Sequence, residues 1–528
     1  MTADPPKPPH WRAAVNWLLW SAAFGLAYTQ APLYYSNQNQ YFLHGAAAAG
    51  RGQLRADWLA NTRDPTPLFS AAVSQTLRFG REELFYVYQV LLLGVYFRSM
   101  VTIYEALSPS APGPSARLAF IALLFLTHTG LPRLLSTRWL GLDYPVYLQS
   151  GVASQYVLRF GLQPSMAGVF LVAAVAMFLT DRPALAALLV CLGAAIHPTY
   201  LLPAALLTIG FLVVLLRERR FRDAVQTGGL ALLLALPVAI DSAVRFGPTS
   251  PETFADAQRL LARFRIPHHT DPRQFFHLIG GLQVLWFAAA LLLVRRHRLF
   301  LVVLVAAGLS FALTLVQLVN DNDTLALLFP WRISAILIPI ATTIILGRLA
   351  NRFGNRVPTG VYWLVIAALV AGGAAINAFG WGYRTNDDEL PLLNWVKANA
   401  ALGDVYLIPV NVPKLGAGLR GAAATDFTPP ARPSQRNQIA VDLQRFRLYT
   451  GVPIYVDFKA VPYRDIEVME WKRRLDWAQQ MYADAAWEAV ELRRHGITHV
   501  VTTADRPIRA PQFEQVYADE SYRVYWVR

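Results

Sequence analysis

Two carboxylates, Asp57 and Asp64, stand in a polar stretch, 36–83, that separates two long apolar runs. The stretch sets them among amides, arginines and a single tryptophan, Trp58, and it is too polar to cross a bilayer. A carboxylate held at a water–lipid boundary can serve as general base toward a hydroxyl. Residues 56–61 read as a helix, which puts Asp57 and Asn61 on one face at i,i+4. Asp64 precedes Pro65 at the start of a helical run over 65–79, the pattern of an ordinary N-cap with proline at N1. Asp57 has no such structural explanation beyond being a solvated loop carboxylate. It is the first choice for a base, with Asp64 as the alternative.

The complementary charges are cationic. Arg332 falls inside the apolar run LLFPWRISAILIPI. An arginine at membrane depth is costly unless it faces an anion, either an internal aspartate or a bound phosphate. The loop 242–276 contains an amphipathic segment, 254–264, followed by Arg265, His268, His269, Asp271 and Arg273. Such a segment can lie at the interface. Arg263, Arg265, His268 and His269 then sit at headgroup level, where they could hold a lipid phosphate; the alternative is a solvated basic loop. His128, Arg138, Asp143, His197, Asp321 and Asp323 fall near the outer ends of apolar runs and are expected, with Asn61, to line a cavity. Either histidine alone reads as a packing residue. The paired histidines beside Asp271 could ligate a divalent metal, but their spacing matches no standard signature, and no cofactor is predicted.

The elements that must position these groups are set by composition. The chain has 528 residues, 55% hydrophobic and 16% charged, and apolar runs of membrane-spanning length recur through the first 380 positions. Eleven spans are expected, at 12–35, 84–107, 117–135, 164–180, 183–197, 199–216, 224–241, 277–294, 299–319, 326–346 and 358–379. Residues 148–162 read as a further half-buried helix. Arginine clusters such as 217–222 and 295–298 fall in short alternate loops, which sets the N-terminus inside and the long loops 36–83, 136–163 and 242–276 outside. The formal charge of +14 is explained by this asymmetry, and nucleic acid is not an expected partner. The lone Cys191 allows no internal disulfide. After residue 380 short helices and strands alternate, predicting an external α/β domain over 381–528 with strands at 405–410, 454–458, 498–502 and 523–527. Phosphate-loop, dinucleotide, nucleophile-elbow and zinc-protease motifs are all missing.

A long polar first loop bearing an acid, many spans and a polar tail containing FRLYTGVPIYVDFKAVPY together resemble the GT-C class of membrane glycosyltransferases. The resemblance implies a polytopic α-helical fold, 1–380, with a C-terminal external α/β domain. It implies a bacterial cytoplasmic-membrane enzyme that uses a polyprenyl-phosphate-linked sugar and a glycan, lipid or protein acceptor. Within it, Asp57 or Asp64 is the base and Arg332, with Arg263, Arg265 or His268, stabilises the departing phosphate. Paired acids common in that class are missing, since Trp58 follows Asp57. A lipid-linked glycan ligase or polymerase, a transporter or flippase, and a non-catalytic scaffold are the alternatives.

Overall fold

The computed structural model describes residues 10–528 except 154, 277, 382, 384–386, 411–442 and 485–486. A helix falls in each of the eleven expected spans: His10–Tyr28, Leu84–Leu107, Pro114–His128, Gly168–Leu179, Pro183–Ile196, Leu201–Arg217, Phe221–Phe246, Leu278–Leu293, Arg298–Val319, Ser334–Phe353 and Thr359–Phe379. Length and composition alone make six helical stretches among the described residues able to cross a membrane, or seven if one bent pair counts as a single span. That pair, Pro114–His128 and Gly130–Leu140, bends by 48°. Thr129 between them is extended, with ψ 163°, which breaks the hydrogen-bond ladder there. Pro164–Leu179, Pro183–Ile196 and Leu278–Leu293 are apolar but shorter. The helices bury one continuous apolar core.

Three local expectations fail. Among the described residues of 148–162 there is no long helix; a 3-10 turn ends at Leu148, and a bridge joins Ser150 to Tyr156. Gly151, Gly161 and Pro164 punctuate that stretch. Residues 56–61 split into two 3-10 turns, Leu54–Ala56 and Leu59–Asn61, with Asp57 extended between them (φ −69°, ψ 128°). The next helix starts at Pro67 with Thr66 at its N-cap, not at Pro65.

The C-terminal part carries a small sheet of β1 (Tyr406–Leu407), β2 (His499–Thr503), β3 (Phe513–Ala518) and β4 (Tyr522–Val527), ordered β1-β2-β4-β3. β1 and β2 run parallel, and the other pairs are antiparallel. The expected strand at 454–458 shrinks to one bridge between Ile454 and Tyr406. The proline-marked loop expected around Pro429, Pro430 and Pro433 lies outside the described residues.

This part lies against two of the long polar loops, 36–83 and 242–276. Phe264 packs on Phe458 and Trp471. Thr249 donates to Asp465 through its amide (2.6 Å) and its hydroxyl (2.7 Å). At the first loop, the Gln53 amide donates to the Gly451 carbonyl at 2.7 Å. Gly52 and Gly451 both have positive φ, and a Cβ on Gly52 would stand 2.4 Å from that carbonyl oxygen. Only glycine allows the two backbones this close.

Candidate functional site

Loop and tail together build a cationic cluster under the first loop. Phe329, at φ 52°, reverses the chain so that Arg332 sits on a 3-10 turn, Pro330–Ile333, ahead of the helix Ser334–Phe353. Its Nη1 donates to Gln155 Oε1 at 3.0 Å, and its guanidinium lies 4.7 Å from the Tyr200 ring centre. Arg265 ends a π-helical turn, Leu260–Arg265. It donates to the Lys459 carbonyl at 2.6 Å and stacks over Phe458. The Lys459 ammonium donates to Asn37 Oδ1 at 2.6 Å. The His197 ring stands 5.7 Å from both Tyr41 and Tyr200. Tyr463 accepts from Gln40 Nε2 at 2.6 Å. His268 and His269 have ring centres 4.0 Å apart, and His269 Nδ1 lies 2.7 Å from the Ala153 carbonyl.

The fields of these cations overlap. Burial pushes the His268 imidazole down to about 4, and Arg265 and Lys459 push in the same direction. Burial also lowers His269, with His268, Arg332 and Arg265 adding to it. Burial raises the Tyr41 phenol, as Tyr463 does, while Arg332 and Arg265 partly offset this. Both arginines are buried, yet among the described residues neither forms a salt bridge. Arg265 Nε, Arg332 Nε, His197 Nδ1 and His268 Nδ1 are buried without a hydrogen-bond partner among those residues. Buried polar atoms are normally satisfied, and buried charges are normally paired. A phosphate would meet both requirements through charge-assisted hydrogen bonds.

The two acids of the first loop have different environments. Asp57 is fully buried. Its Oδ1 accepts from the amides of Leu59 (2.9 Å) and Ala60 (3.2 Å). Its Oδ2 accepts from Arg447 Nε (2.7 Å) and the Ile454 amide (3.1 Å). Those donors occupy about as many lone-pair sites as a carboxylate offers. Arg447 also pairs with Asp457, so one tail arginine bridges a loop acid and a tail acid. Burial works against the Arg447 charge, but the two carboxylates outweigh it and raise its pKa.

Asp64 is half-buried. Its Oδ1 accepts from the Thr66 amide at 2.9 Å and lies 4.0 Å from His44 Nδ1, and its Oδ2 has no hydrogen bond among the described residues. Burial lowers the His44 imidazole, against the pull of Asp64. A narrow cleft lined by Gln40, Tyr41, His44, Thr66 and Tyr463 takes in the residues on either side of Asp64. Tyr41 lines this cleft and its ring also meets His197 of the cation cluster at 5.7 Å, so it borders both.

The other expected site residues disperse. Arg263 is held by Asp321 (2.8 Å) and Asp323 (2.9 Å). Asp143 makes a buried pair with Arg133 (2.6 Å). His128 is a core residue bonded to Tyr96 at 2.8 Å. Arg138 is exposed, and Asn61 donates to the Asp57 carbonyl at 2.7 Å. Asp271 caps the turn after it rather than joining the histidines, accepting from the Arg273 amide at 3.0 Å. No group of three or more His, Cys, Asp and Glu among the described residues is arranged to hold a metal. Of the expected set, Arg332, Arg265, His197, His268 and His269 come together. Tyr41, His44, Tyr200, Arg447, Lys459 and Tyr463 were not expected. Arg447, Lys459 and Tyr463 all lie in the tail segment FRLYTGVPIYVDFKAVPY, whose alternation of charges with aromatics was a usable signal.

A family model described as a domain of unknown function (DUF6798) matches residues 433–478, the segment that supplies Arg447, Asp457, Lys459 and Tyr463. No curated protein matches the chain. Among solved structures, the crystal structure of ArnT from Cupriavidus metallidurans bound to undecaprenyl phosphate is similar over 98% of this chain and 98% of that chain, at 12% identity and a TM-score of 0.48. That score gives the likeness no weight of its own beside the geometry above.

Proposed function

We propose that this protein is a multi-pass bacterial membrane glycosyltransferase of the GT-C kind. It takes a sugar from a polyprenyl-phosphate donor and passes it, with inversion, to an acceptor hydroxyl at the external face. The observation that carries this reading is the cluster of Arg332, Arg265 and the half-buried Lys459, whose two arginines are buried, lack an acidic salt-bridge partner among the described residues and retain unpartnered donors. It lies where the first loop, the loop 242–276 and the tail meet above apolar helices. A lipid phosphate entering from the bilayer suits that position, and the arrangement of arginine-rich loops supports an outward-facing site.

Asp64 takes the base role, since it keeps a free carboxylate oxygen beside the cleft and Asp57 does not. Asp64 accepts the acceptor's hydroxyl proton while the oxygen attacks the anomeric carbon. The bond from that carbon to the phosphate oxygen breaks, and the lipid phosphate leaves carrying both bonding electrons. Arg332, Arg265 and Lys459 stabilise the charge that builds on it. His268 and His269 border the phosphate, and Arg263, already held by two aspartates, takes no part. Residues 1–380 form the membrane part and 381–528 an external domain that completes the site through Lys459 and Tyr463.

Purified protein incubated with labelled polyprenyl-phosphate sugar and an acceptor extract tests this. Release of free lipid phosphate by the wild type, lost in Asp64→Asn with unchanged thermal stability, is the expected result. An equally active Asp64→Asn protein removes Asp64 from the mechanism, and no release under any acceptor condition removes the transferase reading.

A further inference from the structure

At the other end of the bundle, away from the first loop, lies a half-open cavity of about 970 Å³. It lies near the upper end of the roughly 300–1,000 Å³ typical of small-molecule sites. It is formed by the first half of helix His10–Tyr28, the second half of Leu84–Leu107, and the starts of Pro114–His128 and Thr359–Phe379. One wall is apolar, built by Trp20, Phe97, Val101 and Ile121. Trp20 stacks on Phe97 at 5.5 Å and on Trp363 at 5.8 Å, which gives the wall a rigid aromatic face. Its lining also includes Arg12, Arg98 and Arg117.

The three arginines are not equivalent. Arg117 pairs with Glu105 at 2.9 Å. Arg12 and Arg98 form no salt bridge or hydrogen bond among the described residues, and Arg12 rests on the Trp11 ring at 5.3 Å. Arg98 stands nine residues before the end of its helix at Leu107, about 13 Å along the axis at 1.5 Å per residue. The hydrocarbon half-thickness is about 15 Å, so this guanidinium belongs to an apolar depth unless it reaches outward along the cavity. An arginine so placed is stabilised by an anion, and basic pockets between helices on the cytoplasmic side suit phosphate headgroups.

We propose that this cavity binds an anionic phospholipid of the membrane, its phosphate held by Arg12 and Arg98 and an acyl chain lying along Trp20, Phe97, Val101 and Ile121. Two features favour a bilayer lipid over a soluble anion. The wall behind the arginines is aromatic and aliphatic, and the cavity opens between helices. The site is separate from the sugar-transfer cluster, and its existence does not depend on that reading.

Full-length protein reconstituted in nanodiscs of mixed phosphatidylcholine and phosphatidylglycerol, then released for native mass spectrometry, tests the proposal. The wild type should retain phosphatidylglycerol over phosphatidylcholine. Arg12→Gln/Arg98→Gln should lower that retention at least about tenfold, the scale of one lost charge-assisted contact. Arg348→Gln, an exposed arginine elsewhere, should leave it unchanged. Should the double variant fail to fold, Arg12→Gln alone, at the exposed helix start, should still lower retention several-fold. Equal retention of the two lipids by the wild type, or undiminished retention in the folded arginine variant, overturns the proposal. So does displacement of the phosphatidylglycerol by inorganic phosphate, which would mark a soluble-anion site.

Discussion

Asp57→Asn separates two roles for the first-loop acid that look identical in a simple activity assay. The substitution keeps Oδ1 for the amides of Leu59 and Ala60, but it points an NH2 group at two donors, Arg447 Nε and the Ile454 amide. Arg447 then keeps Asp457 as its one carboxylate partner, in a buried setting. Removing one partner of a buried ion pair costs about 3–5 kcal/mol, and here the loss falls on the contact between first loop and tail. Thermal unfolding in detergent should therefore shift down. Limited proteolysis should cut between the membrane helices and the tail faster than in the wild type. Turnover should fall because Lys459 and Tyr463 are no longer held in the site. A double-mutant cycle with Arg447→Gln should show strong coupling, because the second substitution removes the charge that the first leaves exposed to conflict. Wild-type stability and proteolysis, combined with abolished turnover and retained lipid binding, would refute this reasoning and make Asp57 the base.

Other outcomes follow from the same geometry. Gly52→Ala should loosen the tail as Asp57→Asn does, because its Cβ meets the Gly451 carbonyl, and the same proteolysis assay reads it. His268 binds its proton at about 4 when folded and near 6.5 when unfolded. The unfolded chain thus takes up the proton first as pH falls, and stability should drop between pH ~6.5 and ~4; denaturation midpoints of His268→Asn should flatten that slope. A polyprenyl phosphate beside His268 should raise its pKa, which imidazole NMR shifts of labelled protein can follow. Arg332→Lys keeps the charge but loses the planar fork, so donor binding should weaken less than in Arg332→Ala, as equilibrium lipid-binding measurements would show.

Much of the helical scaffold was legible because apolar runs of membrane length carry their own signal, and a helix lies in every expected span. The broken stretch 56–61 was not, because its turns are fixed by Asp57 accepting from Leu59, Ala60 and a distant arginine rather than by local propensity. Arg332 stood out as a cation in an apolar run, His197 by its nearness to a span end, and Arg265, His268 and His269 as the basic residues that follow the amphipathic segment of the loop 242–276. Lys459, Tyr463 and Arg447 were missed because reading the tail as a separate unit hid their return to the first loop across some 400 residues. Asp143 and His128 looked like cavity residues, yet Asp143 pairs with Arg133 and His128 bonds Tyr96 in the core. Sequence shows that such groups are present, but not which partner each one finds.

Affinity for polyprenyl phosphate, measured on detergent-purified protein for the wild type, Arg332→Ala, Arg265→Ala and Lys459→Ala, bears most directly on the phosphate-binding cluster. Each lost charge-assisted contact should cost about 1.5–3 kcal/mol, or roughly 10–150-fold in Kd, while Arg263→Ala leaves binding near the wild-type value. Affinities that do not change across the first three variants, or a wild type that does not bind polyprenyl phosphate, would contradict the assignment of this cluster to a lipid phosphate.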